Sequence, residues 1–494
     1  MASFIGIDLG TTYSSVSYLD DTGRPQIIRN SDGENLTPSC IEINDQEVNV
    51  GEYARRGLGW NDKVLARFKK DMGTSVKYKV GEQEFTPTKC SAFVLIKLLQ
   101  DAKDAIGDVG EAVVTIPANF TNEARVETLK AAKQAKLKVK NIVNEPTAAA
   151  LYYVFKNGGT LNGNFAVYDL GGGTFDISII QVKNKDVVVL ASEGVKKLGG
   201  DDFDAALQLI VQKKYKDATG EDLDIRKGYT KTDAEEDKKA LSKRDRVNVR
   251  VEKTNIELTR YEFEKEIKPL LAQTKMSCEI AIEAAGLKLK DITDVLLVGG
   301  STRVPYVTES VKEIFKKEPV TTVNVDEAVC LGASLFSAIK GDPEDLTPLQ
   351  KASIKELTVS DVAVGCFGTF AYRGSTHEKF NSVLILKNEK IPCSVTETYT
   401  TMYDNQTEVD CTITQSNTPT EDPEWINIIW DGKLSLPSGR RRGRKIDVTY
   451  AYDENGTMHA SFVDVETGEE TYTKLSDISP QDDNDDNPDR FTVG

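Results

Sequence analysis

The sequence contains little cysteine or histidine and no long apolar run. Its seven cysteines are scattered without a C-x-x-C pair, and only two histidines occur in 494 residues. A disulfide framework and a structural zinc site are therefore both disfavoured, and a reducing, cytoplasmic compartment is expected. No run approaches the roughly 18 apolar residues of a transmembrane helix, and the N-terminus shows no signal-peptide pattern. We therefore expect neither membrane spanning nor export.

The chain also lacks a positive charge balance. A net charge of −16 argues against a general nucleic-acid binder, because phosphate contacts need a positive surface. The one basic cluster, 440–445, lies between strand-like segments and is typical of a solvated loop, with a specific acidic partner as the alternative. The P-loop pattern G-x-x-x-x-G-K-[ST] is absent too, so a nucleotide site here needs another design.

What the sequence does have is a glycine-rich stretch, 169–176, between two apolar runs. Its three consecutive glycines predict a tight hairpin whose backbone N–H groups can approach phosphate oxygens. The flanking Asp169 and Asp176 are suited to a hydrated Mg²⁺. A plain hairpin turn is the alternative. The stretch 4–13 repeats the same plan, with Asp8 in the place of Asp169. Two similar half-domains are therefore predicted to place one hairpin on each side of a nucleotide.

The pattern changes along the chain. Up to about residue 340, β-type runs alternate with helical patterns, as in the helix predicted over 88–106, which indicates an α/β domain. A polar connector opens at 341, and after 362 short strands separated by Gly, Asn, Asp and Pro predict an all-β domain. The length allows two or three domains.

Several motifs together resemble the heat-shock 70 kDa (DnaK-type) chaperone family, within the actin and sugar-kinase fold group. Besides the two hairpins, they are the segments 113–120, 144–150, 198–204 and 298–303. The resemblance spans Phe4 to about Leu475. It implies an actin-like, two-lobed nucleotide-binding domain over 1–340, a linker over 341–361 and a β-sandwich peptide-binding domain over 362–475. The acidic composition of 476–494 separately predicts a disordered tail.

The resemblance also implies an ATPase with Mg-ATP between the hairpins, with K⁺ as a further cation. Asp8 and Asp169 hold the hydrated metal, and the matching catalytic residues are Asp8, Lys69, Glu145, Thr174 and Asp176. Without the resemblance, Glu145 is an ordinary acidic residue at a helix start. The expected ATP-binding residues are Gly10, Thr11, Thr12, Tyr13, Asp169, Gly171, Gly172, Gly173, Gly199, Gly200, Glu235, Lys238, Lys239, Ser242, Gly299, Gly300, Ser301, Arg303 and Asp326.

Two positions depart from a simple match or leave a choice. Placing Gly73 on the family glycine makes Lys69 the lysine that reaches the γ-phosphate, with Lys70 as the runner-up and a surface lysine as the plain alternative. Lys239 stands where the family often has arginine, and lysine cannot stack as a planar guanidinium does. The stripe formed by Glu235, Lys238, Lys239 and Ser242 is otherwise typical of the wet face of a helix.

In the β-domain the resemblance implies a groove for extended peptide, lined by Cys366, Tyr399, Val409 and Cys411. Ordinary inward-facing strand residues are the alternative. The aligned linker, 354–359, carries Lys355 and Glu356 inside an otherwise aliphatic run, and burying these charges without partners would be costly. We therefore expect weakened coupling between nucleotide and peptide. The family's helical lid is expected to be missing.

The leading hypothesis is an ATP-dependent chaperone for unfolded or extended segments, with a J-domain co-chaperone and a nucleotide exchange factor as implied partners, and neither nucleic acid nor membrane. A nucleotide-stabilised scaffold with little coupled cycle is the alternative. A sugar or glycerol kinase shares the cleft but needs a second substrate site, which the C-terminal β-domain disfavours.

Overall fold

The computed structural model describes residues 3–320, 324–374, 376–453, 456–474, 488 and 491–494. These residues fall into two compact units. Unit 1 comprises the described residues within Met1–Asn119, Glu127–Val359 and Asn484–Gly494, and unit 2 those within Phe120–Val126 and Ser360–Asp483. The chain is mixed α/β with many sheets.

The first part of unit 1 is built on one six-stranded sheet and smaller sheets beside it. Its main sheet has the order β11-β10-β1-β2-β3, and β4 pairs with β2. In chain order the elements are β1 (Ser3–Asp8), β2 (Tyr13–Leu19), β3 (Pro25–Ile28), β4 (Thr37–Pro38), β5 (Cys40–Asn44), β6 (Glu47–Val50), α1 (Glu52–Arg56), β7 (Val64–Ala66), β8 (Tyr78–Val80), β9 (Gln83–Phe85), α2 (Pro87–Ile106), β10 (Val109–Ile116), α3 (Asn122–Gln134), β11 (Val139–Asn144) and α4 (Glu145–Lys156).

The second part of unit 1 repeats this topology. Its elements are β12 (Gly163–Leu170), β13 (Phe175–Lys183), β14 (Asp186–Val195), α5 (Gly200–Thr219), α6 (Lys231–Leu241), β15 (Arg246–Val251), β16 (Thr254–Thr259), α7 (Arg260–Ala284), β17 (Ile292–Val298), α8 (Pro305–Phe315), α9 (Ala328–Lys340) and α10 (Pro348–Ile354). The strand order β17-β12-β13-β14 matches β10-β1-β2-β3. In both sheets an antiparallel hairpin has a parallel strand on its first member.

Local sequence explains where the main helices begin. The predicted helix over 88–106 is confirmed as α2, which Thr86 caps by accepting a hydrogen bond from the Lys89 N–H, with Pro87 in its first turn. Helix α4 begins at Glu145 as its Pro146 suggests. It packs against α9 so closely that a Cβ on Gly332 would lie 1.8 Å from the Ala148 carbonyl oxygen. Only glycine fits this helix crossing.

Unit 2 consists mainly of two four-stranded antiparallel sheets, in the orders β20-β19-β23-β24 and β22-β25-β26-β27. The strands are β18 (Thr358–Val362), which begins in unit 1, then β19 (Cys366–Tyr372), β20 (Lys379–Ile385), β21 (Lys390–Ile391), β22 (Cys393–Thr400), β23 (Glu408–Ser416), β24 (Asn427–Ser435), β25 (Lys445–Tyr452), β26 (Met458–Asp464) and β27 (Glu470–Lys474).

One shared core lies between these two sheets and includes Phe367, Ile413, Tyr450 and Phe462. Buried side chains alternate with partly exposed ones along β25 and β26, as expected for sheets with one buried face. A short 3-10 turn occupies Pro423–Trp425, and β24 begins at Asn427.

The expected disordered tail, 476–494, lies mostly outside the described residues, but its last part is ordered. Residues Thr492–Val493 form β28, which pairs in parallel with β6. For this segment the expectation of disorder is wrong, because its composition is apolar enough for Phe491 to be buried. No described helix is long and apolar enough to cross a membrane.

Candidate functional site

A large cleft in unit 1, with a volume of about 1500 Å³, is lined by both hairpin turns. The β1–β2 turn contributes Gly10 to Tyr13, and the β12–β13 turn contributes Gly171, Gly172 and Thr174. A Cβ on Gly172 would lie 2.1 Å from the Thr12 Oγ1 atom, so the two turns face each other closely. The absence of that Cβ leaves backbone N–H groups accessible from the cleft. This arrangement can hold a chain of phosphate groups.

Four carboxylates and one lysine gather near these turns. Asp169 and Asp176 are opposite each other in the β12–β13 register, and Asp176 is 1% exposed. Its Oδ1 accepts the Asn119 backbone N–H at 3.1 Å, while Thr115 Oγ1 donates to Asp8 Oδ1 at 2.9 Å. These bonds fix the carboxylates of Asp176 on β13 and of Asp8 on β1.

The cluster carries strongly perturbed acids. Burial, and after it the Glu145 carboxylate, raises the pKa of Asp8 to about 7 and the pKa of Asp176 to about 8. The same two causes raise the pKa of Asp169 well above its usual value. Such crowding of buried acids is common at functional sites, because the charges are held ready for a cationic partner or a proton.

A hydrated divalent cation fits this donor set. All the available donors are carboxylate oxygens, which magnesium prefers, and a cation would relieve the mutual repulsion that raises the pKa values. In the described part of the chain, however, no three acidic, histidine or cysteine groups come close enough to ligate one ion directly. The geometry is therefore suited to a metal held through water.

Lys69 is the cation of the cluster. It is 4% exposed, and its Nζ contacts Glu145 Oε1 at the floor of the cleft. Lys70, the alternative predicted from sequence, is not among the residues lining the cleft. Its ammonium group instead pairs with Asp201 and lies against the turn at Gly173. The two adjacent lysines thus point to different surroundings.

Three charged residues that the sequence analysis overlooked, Arg67, Asp201 and Asp204, also line this cleft. Arg67 Nε lies 2.6 Å from Asp201 Oδ1, and Asp204 Oδ1 lies 2.7 Å from Lys238 Nζ. Both aspartates belong to the quoted 198–204 motif, so acidic positions beside its glycines were the available signal. Arg67 offered no signal beyond its closeness to Lys69.

The other side of the cleft is formed by α6. Glu235 and Lys238 are buried, and Lys239 lies 5.4 Å from the centre of the Tyr13 ring. Although burial opposes it, the Lys239 ammonium at 2.6 Å lowers the pKa of Glu235. Ser242 follows the helix and also lines the cleft. These four polar positions are therefore not simply the solvent-exposed face of a helix, because they line the cleft.

Three loops meet opposite α6. Ser301 Oγ donates to the Gly171 carbonyl at 2.8 Å, and the Gly200 N–H donates to the same oxygen at 3.0 Å. Arg303 is more than half exposed, and its Nε donates to Asp326 Oδ2 at 3.0 Å. Arg303 and the residues of α6 line the same cleft.

Nearly all predicted nucleotide residues come together in this cleft. Those that line it are Asp8, Gly10, Thr11, Thr12, Tyr13, Lys69, Glu145, Asp169, Gly171, Gly172, Thr174, Gly200, Glu235, Lys238, Lys239, Ser242, Gly299, Gly300, Ser301, Arg303 and Asp326. The exceptions are Gly173, Gly199 and Asp176. The first two lie in contact, since a Cβ on Gly199 would be 2.6 Å from the Gly173 nitrogen. Asp176 is buried on β13, just after the β12–β13 turn.

The predicted peptide-binding residues of unit 2 divide into two pairs. Cys366 and Cys411 are 1% and 0% exposed, and burial raises the pKa of the Cys411 thiol to about 12. Both are packed inside the sheets, so the expectation that they line an accessible groove is corrected. Tyr399 and Val409 are half-buried, and the Tyr399 hydroxyl donates to Ser382 Oγ at 2.8 Å. Of the four predicted groove residues, Tyr399 and Val409 are the two with side chains accessible to a ligand.

The linker leaves its charged side chains exposed. Leu357 is buried, but Lys355 and Glu356 are exposed, and Glu356 lies 3.4 Å from Lys185. The next residue, Thr358, donates its N–H to the Lys185 carbonyl and its hydroxyl to Asp186 at 2.6 Å. The linker therefore lies along the β14 edge with both of its charged side chains exposed, so the cost of burying them does not arise in this structure.

Comparison with known proteins places this geometry in one family. A family model described as "Hsp70 protein" matches residues 4–80 and 69–490. The chain is 35% identical to "Chaperone protein DnaK" of Thermosipho melanesiensis over an alignment of 498 positions that covers 94% of this chain and 79% of that protein. It is also 35% identical to "Chaperone protein DnaK" of Thermotoga neapolitana over 497 residues, with the same coverage of both chains. The chain therefore belongs to the Hsp70 family.

Proposed function

We propose that this Hsp70-family ATPase and chaperone hydrolyses ATP in the cleft of unit 1 and binds unfolded, extended segments through unit 2. The observation that carries this proposal is the pair of facing hairpin turns above a buried cluster of four carboxylates and Lys69. The nucleotide-binding domain then corresponds to 1–340 with an actin-like duplicated core, the linker to 341–361, and a β-sandwich substrate domain to 362–475. A cytoplasmic location belongs to the same proposal.

The turns would hold the phosphates. Thr11, Thr12 and the backbone of 171–174 face the cleft, where N–H groups and hydroxyls can donate to phosphate oxygens. Asp8 and Asp169 would hold Mg²⁺ through its water shell, with K⁺ as a second cation. When bound, Mg²⁺ offsets the negative charge of the phosphates.

The chemical step would use the remaining members of the cluster. Lys69 neutralises charge that develops on the γ-phosphate oxygens, while Glu145 and Asp176 orient the attacking water. Burial and the Glu145 carboxylate raise the pKa of Asp176 to about 8, so its ionised form is a stronger base than the carboxylate of an exposed aspartate. The adenosine would lie between α6 and the turn at Gly299 to Arg303, bordered by Asp326.

Unit 2 would take a peptide beside Tyr399 and Val409, the half-buried members of the predicted groove. Edge pairing of an extended chain supplies main-chain hydrogen bonds, and the half-buried side chains supply an apolar contact. A J-domain co-chaperone and a nucleotide exchange factor are the proposed partners of the cycle. The linker contacts at Lys185 and Asp186 support coupling between the nucleotide state and peptide release.

Single-turnover hydrolysis tests the mechanism. The Glu145→Ala, Asp176→Asn double variant should bind ATP but hydrolyse it at least about 100-fold more slowly than the parent, since both water-orienting groups are lost. Glu283→Ala, which removes an exposed carboxylate on α7 that does not line the cleft, is the control and should leave hydrolysis unchanged. Full hydrolysis by the double variant would refute the assigned roles. Tight ATP binding without hydrolysis in the parent would instead favour a nucleotide-stabilised scaffold.

A further inference from the structure

The segment Phe491–Gly494 adds a strand to the edge of the small sheet β6-β5-β7. In the parallel register, Thr492 lies beside Glu47 and Val493 beside Val48. The Thr492 N–H donates to the Gln46 carbonyl at 2.8 Å, the Gly494 N–H donates to the Val48 carbonyl at 2.9 Å, and the Gly494 carbonyl accepts from the Val50 N–H at 2.9 Å. The segment therefore satisfies backbone groups that an edge strand otherwise leaves open.

An aromatic pocket fixes the start of this strand. The Phe491 ring centre lies 5.3 Å from that of Phe93, edge to face, and 5.9 Å from that of Phe85. The Lys89 ammonium lies 5.3 Å from the ring centres of both Phe85 and Phe491. Lys89 is only 1% exposed, so this cation–π contact is made in a largely dry environment, where it is strongest.

The side chains of the segment alternate as in other bound strands. Phe491 is buried and Val493 is half-buried, while Thr492 points to solvent. A cavity of about 340 Å³ continues beside them, lined by Pro488, Phe491 and Val493 on one side and by residues of α2, among them Leu99, on the other. Main-chain pairing with alternate side chains in pockets is how sheet edges recognise extended peptides.

We propose that the β6 edge and the Phe85–Lys89–Phe93 pocket form a second peptide-binding site, specific for an extended Phe-x-Val segment and occupied in this chain by its own residues Phe491 to Val493. None of these residues lines the nucleotide cleft. When a partner protein offers an extended Phe-x-Val segment, that segment displaces Phe491 to Val493 from the site. It is separate from the substrate groove proposed for unit 2, and its test does not depend on hydrolysis.

Hydrogen–deuterium exchange of the full chain tests this site. Phe491→Asp puts a charge into the pocket and should release the segment, so that exchange of the Val50 amide, which donates to the Gly494 carbonyl, rises about 10- to 100-fold, the factor expected for losing one buried phenylalanine. Thr492→Ala, in the same strand but with an exposed side chain, is the control and should leave this exchange unchanged.

A synthetic peptide of residues 488–494 should restore protection of β6 in the Phe491→Asp variant. The same peptide with serine in place of phenylalanine should not restore it, and the parent chain should bind the peptide at least about tenfold more weakly because its own segment competes. Phe491→Ala provides a milder release if the aspartate variant does not fold. The proposal is overturned if β6 exchanges at the same rate in the parent and in the Phe491 variants. It is also overturned if exchange rises in those variants but the phenylalanine peptide does not reverse the rise.

Discussion

Replacing Lys69 tests both the chemistry and the electrostatics of the cleft. The Lys69→Ala variant removes the one buried ammonium that contacts Glu145 among four carboxylates. Removing a single preorganised charge donor to a transition state typically slows the chemical step by about 100- to 1000-fold, or about 2.7–4 kcal/mol. We expect single-turnover hydrolysis to fall by that factor, with a smaller change in ATP affinity.

The same substitution should destabilise the protein without nucleotide. Breaking a buried ion pair from one side costs about 3–5 kcal/mol, because the other charge is left uncompensated. Part of that cost is avoided here by protonation of the acids, whose pKa values burial already raises. The Lys69→Ala variant should therefore unfold at a lower temperature at pH 8 than at pH 6. Mg-ATP should reduce the difference in unfolding temperature between the variant and the parent.

Lys70→Ala is the matched control for this experiment. Lys70 is partly exposed and pairs with Asp201, which keeps Arg67 at 2.6 Å as a second cation. Its loss should change hydrolysis less than about tenfold, since Asp201 stays paired. If Lys70→Ala abolishes hydrolysis while Lys69→Ala hydrolyses ATP at the parent rate, the assignment of the γ-phosphate lysine is wrong.

Three further predictions concern the linker and unit 2. Glu356→Lys should place like charges 3.4 Å apart and weaken ATP-stimulated peptide release about 2- to 5-fold, with recovery in the Lys185→Glu, Glu356→Lys double variant; no recovery would show that the pair is irrelevant to coupling. The Arg440 hydrogen bonds hold the pKa of Asp464 at about 2, so their contribution is complete above about pH 4 and lost as the pH falls toward 2. Urea unfolding of Asp464→Asn should accordingly lose stability at pH 5 but little at pH 2, and equal losses at both would contradict the ion pair. Val409→Asp should weaken binding of a fluorescent hydrophobic peptide at least about tenfold in fluorescence anisotropy, and unchanged affinity would remove Val409 from the groove.

Local features of the site were predictable from sequence because they depend on neighbouring residues. The turns at 10–13 and 171–174 follow from glycine and hydroxyl residues between apolar strands, and α2 follows from its periodicity and its Thr86 cap. The exposure of the linker charges was not predictable in this way. Whether Glu356 is buried or paired depends on how the linker lies against Lys185, far away in the chain.

The sequence by itself determined the division into an α/β part and an all-β part, the two hairpins and the residue types of the nucleotide cleft. Only the tertiary structure decided that Lys69 and not Lys70 lines the cleft, that Cys366 and Cys411 are buried, and that Phe491 packs against α2. The physical reason is the range of the interactions. Turn and helix preferences act over a few residues, whereas burial and ion pairing are set by which distant segments the packed core brings together.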